Sequence, residues 1–237
     1  MKIIYEDRDI LVCFKPAGIA TQTSSLGEQD MVSLIKNYLV KQGSGKDPYL
    51  GIVHRLDQPV SGLLVFGKNK KSSTVVLKEK EYYALCSGKL VQKEGELKHS
   101  LWKNPRTKKA EIIGDKENRN VPVSPGKKDG KDVKEARLTY RLVKEEEETS
   151  LVRVTLDTGR FHQIRAQFSA IGHPLLGDKK YGDERSMELS RKKQIRTIAL
   201  CAWHLRFLHP VTKKEMEFYL QEEDLPAWGH GIQTENR

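Results

Sequence analysis

From Gly51 to Asn69 the chain reads GIVHRLDQPVSGLLVFGKN: a short apolar run, a polar cluster around Asp57, a proline at 59 and a longer apolar run closed by Gly67. Both runs are too short for independent helices and rich in β-favouring residues. Pro59 forbids a helix through their junction, so the stretch predicts two strands joined by a turn. Asp57 then falls at a strand end or in the following loop, two residues after Arg55.

Outward from this centre the same grammar recurs. Residues 2–16, KIIYEDRDILVCFKP, place two apolar runs around a polar EDRD turn and predict a hairpin closed by Pro16 and Gly18. Asp30 precedes Met31, Leu34, Ile35, Tyr38 and Leu39, whose spacing predicts a helix capped by Asp30 and ended by Gly43 and Gly45. Lys70–Lys80 is a weak, lysine-rich helix candidate, and YYALCSGKLV after it reads as a strand broken at Gly88. Residues 103–135, dense in Lys, Asp, Gly and Pro, predict a long surface excursion with a short strand only at 111–113. Two strands follow around an acidic turn, in 136–159. A helix is then predicted over 160–172 with Phe161, Ile164, Phe168 and Ile171 facing inward and Arg165 near the edge of that face. Late strands are expected in 196–210 and 214–220, with a frayed polar tail after Trp228. Strands outnumber helices and short turns join them, so the fold class is α+β: a largely antiparallel mixed sheet flanked by a few helices and long loops. A single domain over residues 1–237 is the expectation.

The chain has 237 residues, with 42 Lys and Arg against 32 Asp and Glu, a formal net charge of +10. That balance suits a polyanionic partner without saying which. Neither a membrane-spanning run nor a signal-peptide core is visible, which predicts a cytoplasmic protein. Cys13, Cys86 and Cys201 are widely separated and form no CxxC pair, so reduced structural thiols are expected rather than a zinc site. No nucleophile elbow, HExxH, Walker loop or dinucleotide fingerprint is present. His162 with His173, and His204 with His209, have no carboxylate or thiol at metal-ligand spacing.

Three segments could carry chemistry. Arg55 and Asp57 pair opposite charges between strands: a carboxylate beside an arginine stays ionised and can act as a nucleophile, or the pair simply pins a turn. Arg160, His162, Gln163 and Arg165 crowd a helix start, where paired arginines could hold phosphate or carboxylate, or lie solvated. Tyr82 and Tyr83 fall on opposite faces of one strand, so one ring could stack on an extruded base while most strand tyrosines merely pack.

Taken in order, these segments resemble the RluA-type family of pseudouridine synthases. Residues 3–22 look like its opening strand pair and KPaG turn, and HRLDQPVSGLLVFGKN is similar to its HRLDxxTSGLLxxaK signature. KEYYALCSG resembles KxYxAxxxG, and TGRFHQIRAQFSAIGHPLLGDKKYG is close to GRxHQIRxHxxxxGhPixGDxxYG. Departures are Val60 for Thr, Gln58 and Pro59 after Asp57, Phe161 for Thr or Ser, and Cys201 for His in the late strand. The resemblance implies RNA pseudouridine synthesis without a cofactor or metal, on ribosomal or transfer RNA. No separate S4-like domain is expected, since the motifs begin within the first 20 residues, and a monomer is expected because no self-complementary apolar segment stands out. The resemblance also implies Asp57 as the catalytic aspartate, Arg165 holding it ionised and oriented, and Tyr82 stacking on the flipped base and aiding loss of the C5 proton. Arg55 and His54 would lie beside the target strand, with Arg160, His162 and Gln163 as further substrate contacts. An RNA binder without catalysis and a base-excising glycosylase are the competing classes.

Overall fold

The computed structural model describes residues 1–23, 27–114, 126–128 and 130–231. The chain divides into two compact units, one built from Met1–Lys80 with Cys201–Leu225, the other from Glu81–Leu200 with the segment from Pro226 onward.

In the first unit, β1 (Lys2–Glu6) and β2 (Ile10–Lys15) form the expected hairpin, and β2 pairs antiparallel with β4 (Ser61–Gly67). Helix α1 (Met31–Lys41) starts at Asp30, whose carboxylate accepts the backbone N–H of Ser33 at 2.7 Å and that of Thr23 at 2.7 Å. Its inward stripe is Met31, Ile35 and Leu39, as the spacing requires.

The other edge of β4 is shared three ways. At its start it pairs in parallel with β11 (Leu200–Leu208), Gly62 opposite Ala202. At its end it pairs with the two-residue β3 (Gly51–Ile52). Between them, His54 Nε2 accepts the Val65 backbone N–H at 3.3 Å. β12 (Glu215–Tyr219) extends β11 antiparallel. The seven residues of β4 are all buried, so both its faces are covered.

In the second unit the strand order is β5 (Leu77–Ser87), β10 (Thr149–Leu156), β9 (Lys131–Glu145), β6 (Glu94–Asn104) and β7 (Lys109–Ile112), with β8 (Gly126–Lys128) on β9; every described pairing is antiparallel. Helices α2 (Gln163–Ala170) and α3 (Glu184–Lys192) complete it. Ala110 of β7 and Ala166 of α2 share a small apolar cluster with Leu101 and Ala136, against which Tyr181 packs.

Four details correct the sequence reading. Lys70–Lys80 is not a helix: a single 3-10 turn at Ser72–Thr74 is held by Asn69, whose side chain accepts the Ser72 N–H, and β5 begins at Leu77. No apolar stripe supports a longer helix there, and Val75 and Val76 favour extended backbone. The described part of 103–135 is not a loose excursion: the strand expected at 111–113 is present as β7, starting at Lys109, and the first residues of β9 also lie there, with Ala110 and Val133 buried. Strand pairing there overrides a polar local composition; residues 115–125 and 129 lie outside the described residues, as does the tail from 232. Helix α2 starts only at Gln163, because His162 adopts a left-handed φ of 52°. That offset leaves Phe161 exposed and Ile171 half-buried, not inward as the helical period predicted. Helix α3 was missed, although Asp183 and Ser186 form a capping box readable in the sequence.

Gly62 has φ of 132°, and a Cβ there would collide with the backbone of Ala202, 2.7 Å from its Cα. Gly62→Ala should therefore destabilise the protein by about 3 kcal/mol, read as a lowered urea midpoint. An unchanged midpoint would refute the close β4–β11 approach.

Candidate active site

Asp57 sits between β3 and β4 in the first unit, in a loop tied down from both sides. The Val60 N–H donates to the Asp57 carbonyl at 3.0 Å and closes a turn over Pro59. The Gly18 N–H donates to the Gln58 carbonyl at 2.8 Å, and Gln58 Nε2 returns a bond to the Gly18 carbonyl at 3.1 Å. Thr21 Oγ1 donates to the Leu56 carbonyl at 3.0 Å while accepting the Leu56 N–H at 3.2 Å. Leu56 is buried, Asp57 half-buried, and Arg55 and Gln58 exposed. The backbone is thus fixed around a residue that is only half-buried. Arg55 extends outward, its Nη2 donating to Gln22 Oε1 at 2.9 Å.

Beneath the loop lies Lys15, wholly buried at the end of β2. Its Nζ donates to the carbonyls of Pro16 (3.0 Å), Ile19 (2.7 Å) and Gln58 (3.0 Å). Three ammonium protons meet three acceptors, which is how a buried cation becomes tolerable. Burial pulls its pKa down to about 8, and the charge of Asp57 opposes the fall. The sequence signal for this role is a lysine that ends an apolar strand beside Pro16.

His54, expected near the RNA, has its Nε2 committed to Val65. Burial pushes its pKa down to about 3, with Lys80 nearby adding to the fall. A neutral imidazole is what that bond needs, since only an unprotonated Nε2 accepts.

Tyr82 and Arg165 belong to the second unit. Tyr82 lies on β5 opposite Val154 of β10, and Tyr83 opposite Arg153. Both tyrosines are buried although strand neighbours point to opposite faces, so burial does not choose between them. Arg165, expected at the edge of its helix face, is buried. Its Nε and Nη2 bond Asp178 Oδ2 and Oδ1 at 2.7 and 2.9 Å, and Asp178 is itself fully buried. Asp178 Oδ1 also accepts the N–H groups of Lys180 and Tyr181, at 2.9 and 3.2 Å. The Tyr181 ring lies under the guanidinium, 5.0 Å from centroid to Cζ. A two-pronged, desolvated pair of this kind fixes the planar group in position and orientation. Asp178 and Tyr181 both lie within GDKKYG, a segment whose role the residue types alone do not reveal.

The rest of the helix start is equally committed. Gln163 Oε1 accepts from the Arg160 N–H (2.9 Å) and Thr158 Oγ1 (2.8 Å), while its Nε2 donates to the Arg137 carbonyl (3.0 Å). Its amide holds the turn. His162 Nδ1 meets the Tyr181 hydroxyl at 2.9 Å, and Arg160 Nε donates to the Glu135 carbonyl at 2.9 Å.

His209, read as lacking a carboxylate neighbour, has two: Asp7 and Asp9 bring ligand-type atoms within 4.8 Å of one another and of its ring. Asp7 Oδ1 accepts the Asp9 and Ile10 N–H groups, and its Oδ2 faces Tyr5 and His209 Nε2 at 2.9 and 3.0 Å. These bonds describe a cap on the first hairpin.

The family model of RNA pseudouridylate synthases matches residues 9–170, which include Asp57, Tyr82 and Arg165. The chain is 30% identical over 216 residues to the dual-specificity RNA pseudouridine synthase RluA of Vibrio cholerae, covering 86% of this chain and 78% of that protein. It is 31% identical to the ribosomal large subunit pseudouridine synthase D of Buchnera aphidicola, over 92% of this chain and 68% of the relative. Its fold is like that of the human RNA pseudouridylate synthase domain containing 4, with a TM-score of 0.72, 20% identity, and 96% of this chain and 89% of that one covered. The class is that of isomerases acting on RNA. This chain belongs to the RNA pseudouridylate synthase family.

Two outcomes test the supports described above. Asp178→Ala leaves the Arg165 charge buried without its bidentate partner and should cost about 3 kcal/mol of stability, measured by urea unfolding. His54 binds a proton in the unfolded chain below its ordinary 6.5 but in the folded protein only near about 3. The unfolded state therefore binds more protons across that window, and stability falls as pH drops through it. In His54→Ala the fall between pH 6.5 and about 4 should flatten; an unchanged slope would assign the acid sensitivity to another group.

Proposed function

We propose that this protein isomerises a specific uridine in structured ribosomal or transfer RNA, with Asp57 as the catalytic carboxylate. The observation that carries the proposal is the Asp57 loop: Lys15, Gly18 and Thr21 immobilise its backbone at residues 56–58, and Asp57 is only half-buried, two residues after the exposed Arg55. The names of the relatives support ribosomal RNA, and dual specificity in one of them supports a wider choice.

On this reading the target nucleotide leaves its stack, at a cost of a few kcal/mol that the net positive charge of the protein offsets. Asp57 acts covalently at the base or at the ribose, so that the N-glycosidic bond breaks, the uracil turns and C5 bonds to the sugar. Arg165 orients the aspartate, and the bidentate grip of Asp178 supports that role. Tyr82 stacks on the flipped base and assists loss of the C5 proton. Arg55, Arg160 and His162 contact the substrate, while His54 and Gln163 act on it through the backbone they hold. Neither a cofactor nor a metal takes part. The protein works as a monomer in the cytoplasm; three buried cysteines without disulfides accord with a reducing compartment. No described helix is long and apolar enough to cross a membrane.

The test is tritium release from RNA labelled at uridine C5, using transfer and ribosomal RNA from a strain lacking the gene. Wild type should release tritium and leave RNA of unchanged mass. Asp57→Ala should lose at least about 10³-fold in rate, and Tyr82→Phe, which keeps the ring, about 10- to 100-fold. Free uracil among the products would mean a glycosylase, and no change in either RNA a binding protein.

A further inference from the structure

We infer that Phe161 is a stacking platform for an unpaired nucleobase next to the target uridine, and that it takes part in selecting that uridine. The inference rests on the RNA-acting reading above and extends it to a residue for which that reading has no role.

Phe161 is out of place by the ordinary logic of burial. It is 36% exposed, whereas every residue from His162 to Phe168 is buried. Its ring is nevertheless held. The imidazole of His162 stacks on it with centroids 3.7 Å apart and planes 20° off parallel. His162 is itself locked, by its left-handed backbone and by the Tyr181 hydroxyl on Nδ1. That hydroxyl also accepts the Ala110 N–H from β7, so the stack is tied to the sheet. An exposed aromatic plane already fixed on a rigid support loses little freedom when a base lies on it.

The surroundings carry the charge that such a base would bring with it. Lys103 Nζ is 4.7 Å from the Phe161 centroid, Lys109 Nζ is 5.7 Å from that of Tyr181, and Arg160 is the adjacent residue. An aromatic plane among cations is how proteins hold unpaired strands: the base stacks and the phosphates take the cations. Lys103 now rests on the ring as a cation–π pair and is placed to transfer its charge to a phosphate. Tyr181 also links the platform to Arg165 within the second unit, since the ring whose hydroxyl holds His162 supports Arg165 from its face. A base on Phe161 would thus be registered against Arg165 through one shared support.

The experiment uses the full-length protein and a uridine decamer carrying one 2-aminopurine, whose fluorescence is quenched on stacking, alongside KM and kcat on total transfer and ribosomal RNA. Phe161→Ala should weaken binding of the decamer and raise KM by about tenfold, with the quench lost and thermal stability unchanged. Phe161→Trp should keep both. Lys103→Ala should lower the salt dependence of binding by about one counterion. Comparing the binding arm with tritium release by the wild type separates the two proposals: a quench that depends on Phe161 while the wild type releases no tritium would sink the catalytic reading and leave the platform standing. Undiminished quench and KM in Phe161→Ala, or a folded Phe161→Trp as impaired as the alanine variant, would overturn the platform and leave Phe161 a contact for another protein.

Discussion

Burying an ammonium group costs several kcal/mol unless each of its protons finds an acceptor, and at Lys15 the three acceptors are carbonyls from two chain segments. Two of them shape the turn after β2, and the third belongs to Gln58, one residue beyond Asp57. The desolvation that makes this lysine expensive also makes its geometry obligatory, because any shift of the loop would strand a charge in the interior. Around that point the Gly18 and Thr21 bonds act as further ties, and the close Gly62–Ala202 approach sets where β4 begins. The position of the Asp57 backbone is thus a consequence of packing laid down before any chemistry is considered.

The second unit solves a matching problem with a different device. Arg165 cannot move without abandoning Asp178, and Asp178 cannot move without losing the Lys180 and Tyr181 amides. Tyr181 then serves both neighbours, its ring under Arg165 and its hydroxyl on His162. Arg165 and His162 are thus each held by side chains that are themselves hydrogen-bonded, which is what precise placement of a cation in a desolvated site demands.

Most strands were legible, because alternation and apolar runs report burial directly: the β1–β2 hairpin, β4, β9, β10 and β11 lie where the pattern put them. What failed were segments whose local composition argued against their tertiary role. Lysines in 70–80 suggested a solvated helix where a strand begins, and the polar tract after 103 left β7 legible only from 111 and concealed the start of β9. Phe161 failed for a narrower reason, since a single left-handed residue at His162 moved the helix start and turned the ring outward.

The sequence by itself determined the strand-rich class, the cap of α1, the positive charge and the ordered motifs that carry Asp57, Tyr82 and Arg165, because these depend on residue type and spacing. Only the tertiary structure decided that Lys15 is the internal tie, that His54 stands in for a missing strand at Val65, that Gln163 serves the backbone, and that Asp178 and Tyr181 secure Arg165. Those roles are partnerships between residues as far as 43 positions apart. A hydrogen bond over such a separation leaves no periodic trace in a linear chain, since it is specified by the fold that brings its two ends together.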